Sequence, residues 1–142
     1  MSRYQKLLVL LDLSPDGEQV ASAAKALAGA DAAVVALHVV EFVPPEPMGE
    51  TLMPTVQIEQ AMIERSGEKL RAMVARLNFP NPTCRVEAGN IKSEILRVAG
   101  EEQVDLIIVG SRERHGLGVL VNFTEDTVLH AAHCDVLAVR LK

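Results

Sequence analysis

Three stretches of the chain are apolar without interruption by the polar alternation of a half-exposed strand: Lys6-Leu7-Leu8-Val9-Leu10-Leu11, Ala33-Val34-Val35-Ala36-Leu37-His38-Val39-Val40 and Asp105-Leu106-Ile107-Ile108-Val109-Gly110. Continuous hydrophobicity over so few residues marks strands covered on both faces, the situation of a parallel sheet. A parallel pair cannot be joined by a hairpin and needs a crossover, usually helical. Helical patterns stand where crossovers are required. Val20, Ala23, Ala24 and Leu27 recur at helical spacing after Ser14-Pro15-Asp16-Gly17, where Ser14 is the expected N-cap and Pro15 the first helical residue; Gly29 ends the pattern. Thr55 to Leu77 carries the longest one, with Ile63, Leu70, Val74 and Leu77 on one face and the charges of Glu64 to Arg71 mostly elsewhere. Ile91, Ile95, Leu96 and Ala99 make a third after Gly89-Asn90, and Val119 to Ala131 can make a fourth.

Two weaker strands complete the alternation. Thr83 to Glu87 alternates and reads as an edge or half-exposed strand, and Val136 to Arg140 is the closing strand. The order β-α-β-α-β-α-β-α-β predicts one α/β domain over residues 1–142, with an open five-stranded parallel sheet and helices on both faces. In such sheets ligands bind beyond the carboxyl ends of strands, where the strand order reverses. The residues at those ends are Asp12, Val40 and Gly110-Ser111.

Composition excludes several functions. Lys and Arg total 14 against 19 Asp and Glu, a net charge of −5, which argues against a dedicated nucleic-acid binder. Aromatic residues are 3% of the chain, so no platform exists for stacking bases. No apolar run approaches the roughly 18 residues of a membrane span, and Met1 to Lys6 leads into the first strand with no cleavage site, so neither membrane insertion nor a signal peptide is expected. Two cysteines, Cys84 and Cys134, are too few for a disulfide scaffold and fit a reducing, cytoplasmic location.

Each chemistry-bearing residue has an ordinary reading beside a functional one. Asp12 could accept hydrogen bonds from a nucleoside, or merely satisfy the turn before the helix. Gly110-Ser111, with Gly116-Leu117-Gly118, forms a glycine-bearing loop in a ligand-binding position, yet its spacing is neither the P-loop nor the dinucleotide fingerprint. His130, His133 and Cys134 cluster near a helix end, with the two histidines expected on one helix face; a metal would need a further ligand, so no metal site is expected. His38 lies inside an apolar strand as a packed core or interface histidine, and no nucleophile can be paired with it. The segment Glu41 to Pro54, with four prolines, reads as a mobile loop over the pocket rim.

The ordered set of segments resembles the universal stress protein family: Leu7 to Ser14 is similar to its opening motif, Leu37-His38-Val39-Val40 to its second strand, Gly89, Ile95, Ala99 and Asp105 to Ser111 to its third helix and fourth strand, and His133 to Arg140 to its closing segment. The resemblance implies strand order 3-2-1-4-5, an adenine-nucleotide alpha-hydrolase-like fold, and a homodimer through the C-terminal strand. ATP-binding members carry a glycine, two residues, a glycine, nine residues, a glycine and then Ser or Thr. Counted from Gly110, the second and third glycines are replaced by Glu113 and Phe123, and only Gly110 and the hydroxyl of Thr124 remain. Asp12-Leu13-Ser14-Pro15 also looks like the UspA-type subclass, which lacks demonstrable ATP binding. The resemblance therefore implies a non-enzymatic stress-response or regulatory protein with no cofactor and an unknown regulatory protein partner. Asp12, Val39, Gly110, Ser111 and Thr124 would form a vestigial nucleotide pocket. Two alternatives stand beside it: a slowly hydrolysing ATP sensor using that pocket, and an adaptor that binds a non-phosphate small molecule or regulates a membrane partner.

Overall fold

The structure is a computed structural model that describes residues 4–41, 55–111, 128 and 130–141. Five parallel strands, β1 (Lys6–Leu10), β2 (Ala33–Val40), β3 (Pro82–Ala88), β4 (Leu106–Ser111) and β5 (Asp135–Arg140), lie in the order β3-β2-β1-β4-β5. Helices α1 (Gly17–Leu27), α2 (Thr55–Leu77) and α3 (Ile91–Glu102) fill the crossovers, and Val128, His130 and Ala131 are helical ahead of β5. The fold expected from the sequence is therefore the one observed, including the order of the strands.

Burial explains the unbroken apolar runs. In β1, Leu7 and Val9 face one way and Leu8 the other, and all three are sealed from solvent. Leu7, Val9 and Leu11 pack with Val34 and Ala36 of β2 and Ile108 of β4 beneath Val20 and Ala24 of α1 and Leu70 and Val74 of α2. Leu8 packs with Val35, Leu37 and Val39, and with Ile107 and Val109, beneath Ile95 and Val98 of α3 and beneath Val128. Both faces are thus roofed by helix, and each fully buried Val, Leu or Ile contributes roughly 1.5–3 kcal/mol over an exposed one. Among the described residues no polar or charged side chain is buried.

The edges differ from the centre. In β3, Cys84 and Val86 pack toward the α2 face, while Arg85 and Glu87 engage charged residues of α3. In β5 no residue is fully buried, although Val136, Leu137 and Val139 are half-covered. The helix ends are built from local chemistry. Asn90 caps α3, its side-chain oxygen accepting from Ser93 N at 3.1 Å, and Gln103 closes the helix in the left-handed region at φ 54°. Loop 42–54, expected to be mobile, and most of the expected fourth helix lie outside the described residues.

Two substitutions probe this packing by urea denaturation. Ile107→Ala, at a fully buried position of β4, should cost about 2–5 kcal/mol. Gly100→Ala should stabilise by about 0.5–1 kcal/mol, because the glycine lies within α3 with open space where a Cβ would be.

Candidate functional site

The strand order reverses between β1 and β4, since the chain builds outward from β1 through β2 to β3 and then returns to the other side of β1. Sheet register decides which residues meet there. Val9 is paired with Ala36 of β2 and with Ile108 of β4. Asp12 follows just past the end of β1, Val39 lies next to last in β2 and Ser111 ends β4, so these three candidates fall at or just beyond the carboxyl ends of adjacent strands. Gly110 precedes Ser111 in β4. Thr124, the fifth candidate, lies outside the described residues, as do Glu113, Phe123 and the glycines at 116 and 118.

The local chemistry gives each of them a defined task. Asp12 is exposed, and its Oδ1 accepts from Ser14 N at 2.7 Å; Ser14 Oγ in turn accepts from Asp16 N at 3.3 Å. This is the side-chain mimic of a backbone turn that Asp and Ser favour. Ser14 is consequently not the cap of α1, contrary to expectation. Gly17 N donates to Ser14 O and Glu18 N to Pro15 O, so Pro15 sits in a tight turn, and the cap position falls to Asp16, whose side chain makes no capping bond. The reason is a close approach: a Cβ on Gly17 would lie 2.0 Å from the carbonyl oxygen of Asp12. Helix α1 is drawn directly against the end of β1, and only glycine permits it. Sequence reasoning treated Gly17 as turn chemistry alone, because the partner backbone is identified only by the fold.

Val39 is buried beneath α3, so its side chain belongs to the core and only its backbone is at the rim. Beside it, Gly89 N donates to Val40 O at 3.0 Å, with Gly89 at φ +145°, tying the start of the α3 crossover to the end of β2. Gly110 is a packing glycine on the other face. A Cβ there would meet Leu141 Cδ1 and Val20 Cγ2, each at 3.1 Å, and Leu141 N donates to Ser111 O at 2.9 Å. The glycine is therefore accounted for by the crowding of α1 and the C-terminal segment, without a phosphate.

His38 is half-buried, and its Nδ1 lies 2.9 Å from Leu11 O. A carbonyl oxygen can only accept, so Nδ1 donates and the neutral ring keeps its lone pair on Nε2. The histidine cross-ties β2 to the end of β1, the interior role expected for it. His130 is helical, but the helical stretch ends at residue 131, so His133 falls outside it and the two do not share a helix face as expected. Burial pushes the Cys134 thiol up, and Asp135 and Asp105 reinforce this; burial does the same for Cys84, partly offset by Arg71. A thiol held in its protonated form is a poor nucleophile and a poor ligand. Among the described residues no three metal-ligating side chains converge.

Two open clefts border α2. One of about 550 Å³ separates the α1 entry turn from α2, bordered by Leu13, Pro15, Met73 and the Glu18–Arg76 ion pair. The other, about 350 Å³, lies between α2 and β3 beside Cys84 and Arg71. Neither is lined by Asp12, Val39, Gly110 or Ser111.

The architecture is that of a small doubly wound α/β protein whose strand order reverses between β1 and β4. Residues 3–140 match the model of the universal stress protein family. A protein of Coxiella burnetii named universal stress protein A homolog 2 is 36% identical, the match spanning 100% of this chain and 99% of that one; universal stress protein A homolog 1 of the same organism is 32% identical over 98% of each. The chain belongs to the universal stress protein family. The solved universal stress protein UspA from Lactobacillus plantarum superposes with a TM-score of 0.72 over 99% of this chain and all of that one, at 24% identity. A crystal structure of a universal stress protein in complex with cAMP superposes with a TM-score of 0.64 over 96% of each chain, at 20% identity. At those identities the two structures establish a shared fold.

The two site glycines should respond differently to alanine. Gly17→Ala puts a methyl against rigid backbone and should destabilise by about 2 kcal/mol or more. Gly110→Ala meets only the ends of Leu141 and Val20, which can yield by tenths of an ångström, and should cost about 1 kcal/mol. Equal losses in denaturant titrations would contradict the assignment of Gly17 to backbone approach.

Proposed function

We propose that the chain is a UspA-type stress protein, a homodimeric regulatory or protective factor of the cytoplasm that acts on an unknown protein partner, without catalysis and without binding ATP. The observation that carries this reading is the replacement of two phosphate-loop glycines by Glu113 and Phe123. A carboxylate beside a triphosphate is repulsive, and a phenyl ring occupies space through which backbone must approach phosphate. The crowded surroundings of Gly110 support the same reading, since its glycine character has a structural cause. So does the end-to-end similarity to proteins named universal stress protein A homologs.

The two sheet edges support assembly through β5. Charged side chains on an edge strand oppose pairing with another sheet, and β3 carries Arg85 and Glu87. β5 has its charges, Asp135 and Arg140, at its two ends, and between them offers the half-covered Val136, Leu137 and Val139, which a second copy related by a two-fold axis would cover. Half-buried free cysteines suit a reducing compartment, and among the described residues no helix is long and apolar enough to cross a membrane.

A second reading keeps an adenine-nucleotide function. It draws on the fold shared with a universal stress protein crystallised with cAMP and on the position of Asp12, Val39 and Ser111 at or just beyond the carboxyl ends of adjacent strands. Calorimetry with ATP and magnesium, and separately with cAMP, discriminates the two. No heat of binding is expected at physiological salt. The double variant Glu113→Gly with Phe123→Gly should gain measurable ATP affinity, each tenfold recovered corresponding to about 1.4 kcal/mol. Tight binding by the unaltered protein would replace the first reading with the second. Light scattering should give twice the chain mass, and a monomer at working concentration would remove the dimer from the proposal.

A further inference from the structure

We propose that α3 is an acid-released element: a closed ring of alternating charges clamps it to the β3 edge at neutral pH, and the same residues drive it off once the carboxylates are protonated. The ring runs from Arg85 of β3 to Glu101 of α3 at 2.9 Å, on to Arg97 at 2.6 Å, across to Glu87 of β3 at 2.6 Å, and back to Arg85 at 3.2 Å. Two branches extend it. Glu94 joins Arg97, and Glu102 bridges Arg85 at 3.1 Å and Lys6 of β1 at 3.0 Å. The consecutive elements β3 and α3 are thereby tied to β1, which is distant in sequence, at one patch. The patch is partly shielded, the Arg85 and Glu94 side chains being 19% and 16% exposed.

The sign of the patch is what makes it a device. Four carboxylates face three cations at neutral pH, a net charge of −1. With the carboxylates protonated, Lys6, Arg85 and Arg97 remain as three cations held within one cluster, and attraction between α3 and the sheet becomes repulsion. Among the described residues, Asp105, between α3 and β4, is the further carboxylate beside this patch, and it accepts from the backbone N of Gln5 and Lys6. β2 and β4 present Val35, Leu37, Val39, Ile107 and Val109 to α3; Lys92 is the remaining charged residue of α3, and His130 lies exposed on the neighbouring helical stretch. Helices α1 and α2 are on the opposite face.

Hydrogen bonds from Arg85 and Arg97 hold the Glu101 carboxyl below the usual carboxylate range, and Lys6 chiefly, with Arg85, holds Glu102 there against the effect of burial. Carboxyls depressed in the folded state stabilise it above their unfolded range, and that contribution is lost as pH falls through their folded values. Release would uncover the stripe of Ile95 and Val98, both sealed from solvent in the folded protein, and the apolar sheet face beneath them.

The test is native-state hydrogen exchange, corrected for intrinsic rates, at neutral pH and at about pH 3, below the ordinary carboxylate value, because the depressed carboxyls take up protons only there. Protection of the α3 amides should fall about tenfold or more beyond any fall in β4, equivalent to one pKa unit of differential interaction. Equal losses in α3 and β4, or an unchanged α3, would overturn the proposal. Arg97→Gln removes one of the repelling cations and should shrink the acid response of α3; an undiminished response would also overturn it. Glu101→Gln with Glu102→Gln should raise α3 exchange at neutral pH while leaving β4 protected, and an α3 as protected as in the unaltered protein would count against the clamp.

Discussion

Parallel pairing of β1 on both sides, with β2 along one edge and β4 along the other, is the constraint from which the rest of the molecule follows. A strand in that position has sheet to left and right and must be roofed above and below, so every side chain of its central residues is buried, as Leu7, Leu8 and Val9 are. Because parallel neighbours cannot be joined by tight turns, each strand end must be carried back by a crossover, and the crossovers become the two helical layers. The reversal of direction after β3 then follows from adding β4 to the free side of β1, and that reversal creates the crevice.

At the crevice the chain is shaped mostly by backbone. The Asp12 carboxylate braces a turn, Gly17 lets α1 meet the end of β1, His38 donates to the last carbonyl before that turn, and Gly110 makes room for Val20 and Leu141. These contacts converge on the place where a ligand of such a fold would sit, and each has a structural purpose of its own.

The periphery follows a different logic. The core is wholly apolar among the described residues, so specificity at the margins falls to charge. On β3 the charges protect an edge and fasten α3 to it. Isolated exposed ion pairs contribute little, from about zero to 1 kcal/mol, but a closed ring orders its side chains together and so loses less conformational freedom per pair. β5 is charged only at its two ends, Asp135 and Arg140, whereas in β3 Arg85 and Glu87 stand mid-strand and are engaged by α3.

The sequence by itself determined the strands, their parallel character and the span of α2 from Thr55 to Leu77, because each rests on a local pattern: unbroken apolar runs, helical spacing, and proline or glycine punctuation. With the family resemblance it also led to the strand order, and it placed Asp12, Val40 and Gly110-Ser111 at carboxyl strand ends. Tertiary structure alone decided what these residues do. Ser14 lost the capping role because the helix start is pulled onto the Asp12 carbonyl, a contact that no local propensity records. Gly110 acquired its packing role from Leu141, 31 positions along the chain. The Arg85–Glu101–Arg97–Glu87 ring was unreadable because in sequence its members are only scattered surface charges, and they become a ring when β3 and α3 are brought side by side. Periodicity reports which face of an element is buried, whereas partners in space are chosen by the packing of whole elements, and the chemistry of this molecule lies in those partnerships.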